Sequence, residues 1–267
     1  MRRLRYYSPA TSFRTAFAYS NLGFSAGAYA AARATGESWE DLAETRLFAP
    51  LGMTNTSYRF ADLGRRENRA APHFRTPDGV WEPGNLTNDD AAAPAGGVSS
   101  NLRDLTHWLR LHLAGGMFDG QPVVAGDPLR ETHRPQMVAF SPPDPATGPT
   151  AFYGLGWNVS YDDRGRLEVM HGGDFNSYST QATLLPGSGL GILVLCNGGA
   201  SAVRGAIPRA FLEMVTKGKP SQDWVSAIET SFAENLASIL ATSTPFPQGK
   251  PPADAAPPLP LDAYTGT

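Results

Sequence analysis

Between Phe152 and Cys196 the chain reads as a succession of strands: Phe152 to Tyr161, Leu167 to Met170, Tyr178 to Leu185 and Leu190 to Cys196. Only Pro186-Gly187-Ser188-Gly189 separates the last two. A connection that short joins antiparallel neighbours, because parallel strands need a crossover of about a dozen residues or more. Leu190 to Leu195 is mostly apolar, as in a strand covered on both faces. Helical periodicity flanks this block on either side. Leu102, Leu105, Leu109 and Leu113 form one stripe before it, and Ile207, Phe211 and Val215 form one after it. Strands in sequence, flanked by helices, predict an α+β domain in which helices cover an antiparallel sheet.

Punctuation along the chain refines this. Leu22 to Thr35 carries a helical pattern, with Leu22, Ala26, Tyr29, Ala30 and Ala34 able to share a face, and Gly36 stops it. Ser38 is placed to cap a second helix, with Asp41 in its first turn. Residues 55 to 95 are rich in Pro, Gly, Asn and Asp and read as a surface excursion, as do residues 135 to 150. Ser99 or Ser100 is a plausible cap for the leucine-striped helix, and Gly115-Gly116 ends it. A later helix is expected over about residues 221–240, followed by prolines at 245, 247, 251, 252, 257, 258 and 260. The expected division is a domain over 1–218, a connecting helix within 219–244, a proline-rich linker over 245–260 and a short terminal segment, 261–267.

Composition excludes several classes. A net charge of -3 gives no basic surface for nucleic acid. No apolar run approaches the roughly 20 residues of a membrane span, and the basic start Met1-Arg2-Arg3-Leu4-Arg5 is not followed by the apolar core of a signal peptide. The single cysteine, Cys196, excludes an internal disulfide. Among His73, His107, His112, His133 and His171 no pair stands at i, i+4, and no metal or cofactor is expected.

Five blocks carry a family resemblance: Phe17-Ala18-Tyr19-Ser20-Asn21-Leu22-Gly23-Phe24, Leu47-Phe48-Ala49-Pro50-Leu51-Gly52-Met53-Thr54, Ala95-Gly96-Gly97-Val98-Ser99-Ser100, Tyr153-Gly154-Leu155-Gly156-Trp157 and His171-Gly172-Gly173. Together they resemble the serine β-lactamase-like and penicillin-binding superfamily, on the side of class C β-lactamases, D-alanyl-D-alanine carboxypeptidases and related esterases. Pro-Leu-Gly-Met is the most specific of the matches. The resemblance spans roughly residues 12 to 215. Tyr264-Thr265-Gly266 resembles, over a very short match, the opening of a β-domain appended to some relatives.

The resemblance implies roles. Tyr19 would act in proton transfer, and Asn21 would offer its amide to a substrate carbonyl. His171 would stand where many relatives have lysine and could donate a hydrogen bond to substrate or to the Tyr19 oxygen. Gly172 and Gly173 would leave the strand edge free for a small-molecule or peptide substrate, and the backbone N–H of Asp174 would be an oxyanion donor. Each residue also has a structural reading: a packed tyrosine, a helix cap at Asn21, a strand-end histidine, a β-bulge at the glycines. Gly23-Phe24-Ser25-Ala26-Gly27 also fits the Gly-x-Ser-x-Gly elbow of α/β-hydrolases, but the parallel βα units that precede such an elbow have no room in 22 residues.

One element of the family pattern is absent. Its nucleophile lies in a Ser-x-x-Lys turn before the tyrosine. The lysines here are Lys217, Lys219 and Lys250, and the residues three positions earlier are Met214, Thr216 and Pro247. A phenol, with a free pKa of about 10, takes a serine proton only when a neighbouring cation supports the phenolate. The sequence therefore reads as part of a serine hydrolase acting on amide or ester carbonyls, truncated in front, inactive alone, and a partner for a complementing N-terminal segment. The alternatives are a binding or interaction protein of the same fold and one half of a split enzyme. Localisation is open, since full-length relatives are often exported.

Overall fold

The computed structural model describes residues 8–9, 11–76, 78–142, 144, 148–199 and 202–242. The chain divides into two compact units, residues 1–225 and 226–267. In chain order the first unit contains α1 (Asn21–Thr35) and α2 (Trp39–Ala43), which continues as a π-helical turn over Glu44–Phe48. Next come α3 (Phe60–Arg65), the hairpin of β1 (His73–Arg75) and β2 (Trp81–Pro83), α4 (Ala93–Gly96) and α5 (Leu102–Leu113). A small hairpin, β3 (Met117–Phe118) and β4 (Gln121–Pro122), leads to α6 (Gly126–Thr132). The main sheet follows: β5 (Met137–Phe140), β6 (Ala151–Tyr153), β7 (Asn158–Tyr161), β8 (Leu167–Phe175), β9 (Tyr178–Leu185) and β10 (Leu190–Cys196). Then come α7 (Ala202–Lys217) and α8 (Trp224–Thr242). The Pro-rich segment 245–260 and the Tyr264-Thr265-Gly266 match lie outside the described residues.

The sheet is an antiparallel meander in the order β10-β9-β8-β7-β6-β5. The expected α+β architecture is present, with two corrections to its strands. Phe152 to Tyr161 is two strands with a tight turn between them. Gly156 sits at φ +90°, and the Gly154 N–H donates to the Trp157 carbonyl at 2.7 Å. Apolar alternation continues through that turn, so periodicity could not show it. The outermost strand, β5, lies inside the stretch expected to be loop. It is four residues long and flanked by prolines, below the length at which alternation is readable.

Two apolar clusters form the core, and α5 lies between them. On one side Leu111 packs with Ala43, Phe48, Leu51 and Met53. On the other, Leu109 packs with Trp157, Val159, Val169 and Leu184 of the sheet. A helix between two layers is buried on more than one face. Hence Leu111, outside the leucine stripe, is 1% exposed, while Leu102, inside it, is 54% exposed. Pro50-Leu51-Gly52-Met53 now has a physical role. Leu51 and Met53 fill the first cluster, Gly52 turns the chain at φ +64°, and the Leu51 carbonyl lies 2.8 Å from Nδ1 of His107.

The helix faces also differ from those read by bulk. In α1 the buried residues are Ser25 and Ala32, while Leu22 is exposed. In α7 they include Ala202, Ala206 and Leu212, while Ile207 and Val215 are exposed. Small residues let a helix backbone approach its neighbour closely, and periodicity weighted by size selects the opposite face. Helix starts were more legible. Ser38 accepts from the Asp41 N–H at 3.1 Å. At α5, however, the cap is Asn101 rather than either serine. Ser100 is already engaged with Thr56 at 2.7 Å, and Ser99 pairs with Ser57 across an isolated bridge.

Asp104, in the first turn of α5, is 2% exposed. Its Oδ2 accepts from the Asn55 N–H at 2.7 Å and from the Thr56 hydroxyl at 2.9 Å. It thereby ties the Pro-Leu-Gly-Met loop to the helix behind it. We expect Asp104→Ala to lower the unfolding free energy by about 2–3 kcal/mol, since two donors lose a buried charged acceptor. Denaturant titration at constant m-value is the check.

A second buried polar pair joins α5 to α6. Nδ1 of His112 lies 3.0 Å from Nε2 of His133, and Trp108 and Trp157 pack around the rings. The two histidines are 21 residues apart, beyond the spacings that sequence inspection tests. Burial, and then the charge of His133, push His112 down to about 3. Burial also lowers His133. Unfolded histidines titrate near 6.5, so below about pH 6.5 the unfolded chain binds more protons than the folded one. The pair's contribution is thus complete above about pH 6.5 and is lost as pH falls toward the depressed folded value of about 3. Stability measured at about pH 5 should be lower than at about pH 7, with a slope of up to about 1.4 kcal/mol per pH unit per proton. The double variant His112→Leu, His133→Leu should flatten that slope.

Candidate active site

Three rings from separate parts of the chain meet near one end of the sheet. Tyr19 comes from the segment before α1, Tyr153 from the end of β6 and His171 from β8. The Tyr19 and His171 ring centroids are 6.1 Å apart, and those of Tyr19 and Tyr153 are 6.0 Å apart, edge to face. Phe17 and Phe24 lie against Tyr153 at 5.2 and 6.4 Å. The closest polar contact within the group is between the Tyr153 hydroxyl and Nε2 of His171, at 3.0 Å. Tyr153 is 7% exposed, whereas Tyr19 is 51% exposed.

Tyr19 and Asn21 are held by the start of α1. The helix cap is Ser20, whose hydroxyl accepts from the Gly23 N–H at 3.0 Å. Asn21 is therefore the first helical residue and not the cap, and its side chain is exposed. The hydrogen bond present at the His171 ring among the described residues is the one between Nε2 and the Tyr153 hydroxyl. Sequence reading placed Tyr153 in a family block and gave it no role. The signal available was a tyrosine directly before a glycine turn.

His171-Gly172-Gly173-Asp174 lies within β8, in unbroken register with β9. His171 pairs with Ala182, Gly172 with Gln181, Gly173 with Thr180 and Asp174 with Ser179. The glycines are thus regular strand residues, and no bulge interrupts them. A Cβ on Gly172 would fall 2.5 Å from a guanidinium nitrogen of Arg204. Arg204, from α7, reaches Asp174 at 3.1 Å, and Ser179 donates to the same carboxylate at 2.6 Å. Glycine at 172 makes room for this clamp beneath the strand.

The electrostatics follow from burial. Desolvation, and then the proximity of Tyr19, push Tyr153 up to about 12, so its hydroxyl keeps its proton. Burial lowers His171, a hydrogen bond to the Gly172 backbone opposes that, and the Arg204 charge adds to the lowering. The ring is held toward its neutral form. Lys217 is engaged elsewhere, with Asp163 at 3.0 Å and Glu213 at 3.5 Å. Two open concavities, of about 390 and 370 Å³, lie beside Tyr29 and Trp39 and beside Asn55 and Asn101. Neither is lined by Tyr19, Tyr153 or His171. Among the described residues no group of His, Cys, Asp and Glu is placed to hold a metal, and no helix is long and apolar enough to cross a membrane.

The chain is similar to known proteins in sequence and in fold. The unguisins hydrolase ungD' of Aspergillus campestris is 25% identical over all of this chain and 50% of its own length. The D-alanyl-D-alanine-carboxypeptidase/endopeptidase AmpH of Escherichia coli K12 is 27% identical over 85% of this chain and 53% of its own length. The chain thus spans about half the length of these relatives. Among solved structures, the octameric penicillin-binding protein homologue from Pyrococcus abyssi matches with a TM-score of 0.64 at 18% identity, over 80% of this chain and 46% of that one. The family model described as Beta-lactamase matches residues 1–213. The chain belongs to that family, the serine hydrolases that include β-lactamases and D-alanine carboxypeptidases, and it has their fold.

Proposed function

We propose that this chain supplies the tyrosine and histidine side of an acyl-transfer site for amide or ester carbonyls, and that its 267 residues do not turn over substrate by themselves. The observation that carries this reading is the meeting of Tyr19, Tyr153 and His171 beside the Gly172-Gly173 edge, in a sequence without Ser-x-x-Lys. In an assembled site, Tyr19 would take the proton of an attacking serine. Asn21 would meet the substrate carbonyl or its amide, and the Asp174 N–H would stabilise the developing oxyanion. His171 is neutral and already bonded to Tyr153, so the cation supporting a Tyr19 phenolate would come with the nucleophile, as the lysine of a Ser-x-x-Lys turn.

Exposure of the surrounding groups supports the need for a further wall. Tyr19, Leu22, Phe24, Leu155 and Phe175 are each at least 39% exposed. A site open to water screens its charges and loses the electrostatic advantage that serine hydrolysis requires. A segment carrying the nucleophile would cover these side chains. The family includes lactamases, peptidases and amidases, and histidine in place of lysine at 171 favours peptide or ester over a dedicated lactam substrate.

The chain alone should show no hydrolysis of nitrocefin or p-nitrophenyl esters and no labelling by fluorescent penicillin. Stoichiometric acylation of a serine in it would overturn the proposal. When the chain is preceded by a segment bearing Ser-x-x-Lys, acylation should appear, and Tyr19→Phe should lower its rate by about 10²–10⁴-fold. A neutral Tyr19→Phe in that active form would remove Tyr19 from the proton-transfer role.

A further inference from the structure

The contact between Tyr153 and His171 determines more than the position of two rings. Tyr153 ends β6 and is pinned on every side by the turn that follows it. Its carbonyl accepts from the Gln136 N–H at 2.9 Å. Leu155 donates to the Thr132 carbonyl at 3.0 Å, and Gly154 donates to Trp157 at 2.7 Å. A side chain at 154 is impossible, because its Cβ would meet the Thr132 carbonyl and lie 2.9 Å from that of Arg134. Trp157, 4% exposed, anchors the far side of the turn against His112 and His133. The Tyr153 hydroxyl is thus delivered to His171 from rigid, buried structure. Tyr19 approaches the same histidine from an exposed segment.

Protons at this contact can be counted. A buried tyrosine hydroxyl needs an acceptor, and Nε2 of His171 is the partner of Tyr153 among the described residues. When Nε2 accepts from the Tyr153 hydroxyl, the proton of a neutral ring sits on Nδ1. The opposite tautomer would leave the buried Tyr153 proton without this acceptor.

We propose that Tyr153 is a positioning residue that locks His171 in the neutral Nδ1–H tautomer, so that His171 serves as a fixed hydrogen-bond acceptor and supplies neither a proton nor a positive charge to Tyr19. This rests on the reading of Tyr19 and His171 as one site. It assigns the site two phenols of different character. Tyr153 is buried, permanently protonated and committed to His171. Tyr19 is exposed and free to exchange a proton with a nucleophile. The titratable groups against the histidine are Tyr19 and Tyr153; Arg204, held by Asp174 on the other face of β8, acts on it through its charge.

The test needs no turnover. Long-range ¹H–¹⁵N correlation spectra of the full chain, labelled at histidine, report which ring nitrogen carries the proton. At neutral pH His171 should appear as a single Nδ1–H tautomer. Tyr153→Phe should admit the Nε2–H form, because the bare nitrogen then loses its donor. Protonation at Nε2 in the unmodified chain would overturn the proposal, and so would an unchanged single tautomer in a folded Tyr153→Phe variant. If that variant fails to fold, the spectrum of the unmodified chain decides alone. Acylation of a serine in the isolated chain would overturn the proposed function while leaving the tautomer result standing, so the two failures are distinguishable.

Discussion

Pairing of β8 with β9 is the constraint on which the rest of the molecule depends. Val169, His171 and Gly173 share one face of β8, and Met170, Gly172 and Asp174 share the other, because side chains alternate along a strand. Val169 is fully buried against Leu109, Trp157 and Leu184, which fixes its face toward α5. His171 is then held on the face where β6 delivers Tyr153. Gly172 and Asp174 are held on the face where α7 delivers Arg204. A slip of one residue would exchange the two faces and dismantle both arrangements together. Burial at Val169 and Leu184 is what makes such a slip costly.

The two faces carry different chemistry. Beneath the α5 face lies an aromatic and imidazole cluster, with His112 and His133 sharing a hydrogen bond among Trp108 and Trp157. On the α7 side the buried β9 residues include the polar Ser179, Gln181 and Thr183. Ser179 bonds Asp174, and Gln181 donates to Thr183 at 3.1 Å. The small residues Ala202 and Ala206 on α7 let the helix lie close to this strip. A polar layer under the Gly172-Gly173 edge restrains the edge without presenting a side chain above it, which is what a strand that receives a substrate backbone requires.

Much of this was legible before any coordinates. The meander from β7 to β10, the α+β class, the cap at Ser38 and the stop at Gly36 follow from local signals whose physical range is a few residues. Tyr19 and His171 were recognised as partners through family blocks, and the structure brings their rings within 6.1 Å. Other features were not legible. The outer strand β5 is too short for alternation to register. Leu111 and Ser25 are buried because neighbouring elements surround them, and their own positions in the helical repeat do not announce it. The His112–His133 pair spans a helix, a hairpin and another helix, so no spacing rule finds it.

What the sequence by itself determined is the fold class, most of the longer elements, the family and the inventory of chemical groups, including the lack of a Ser-x-x-Lys turn. Local propensity and hydrophobic period act through neighbours along the chain, and residue identity is written there directly. What only the tertiary structure decided is which groups are joined. It joined His171 to Tyr153, and it placed Arg204 beneath Gly172 with Asp174 as its anchor. Those pairings depend on strand register and on the approach of distant elements, and long-range packing sets both.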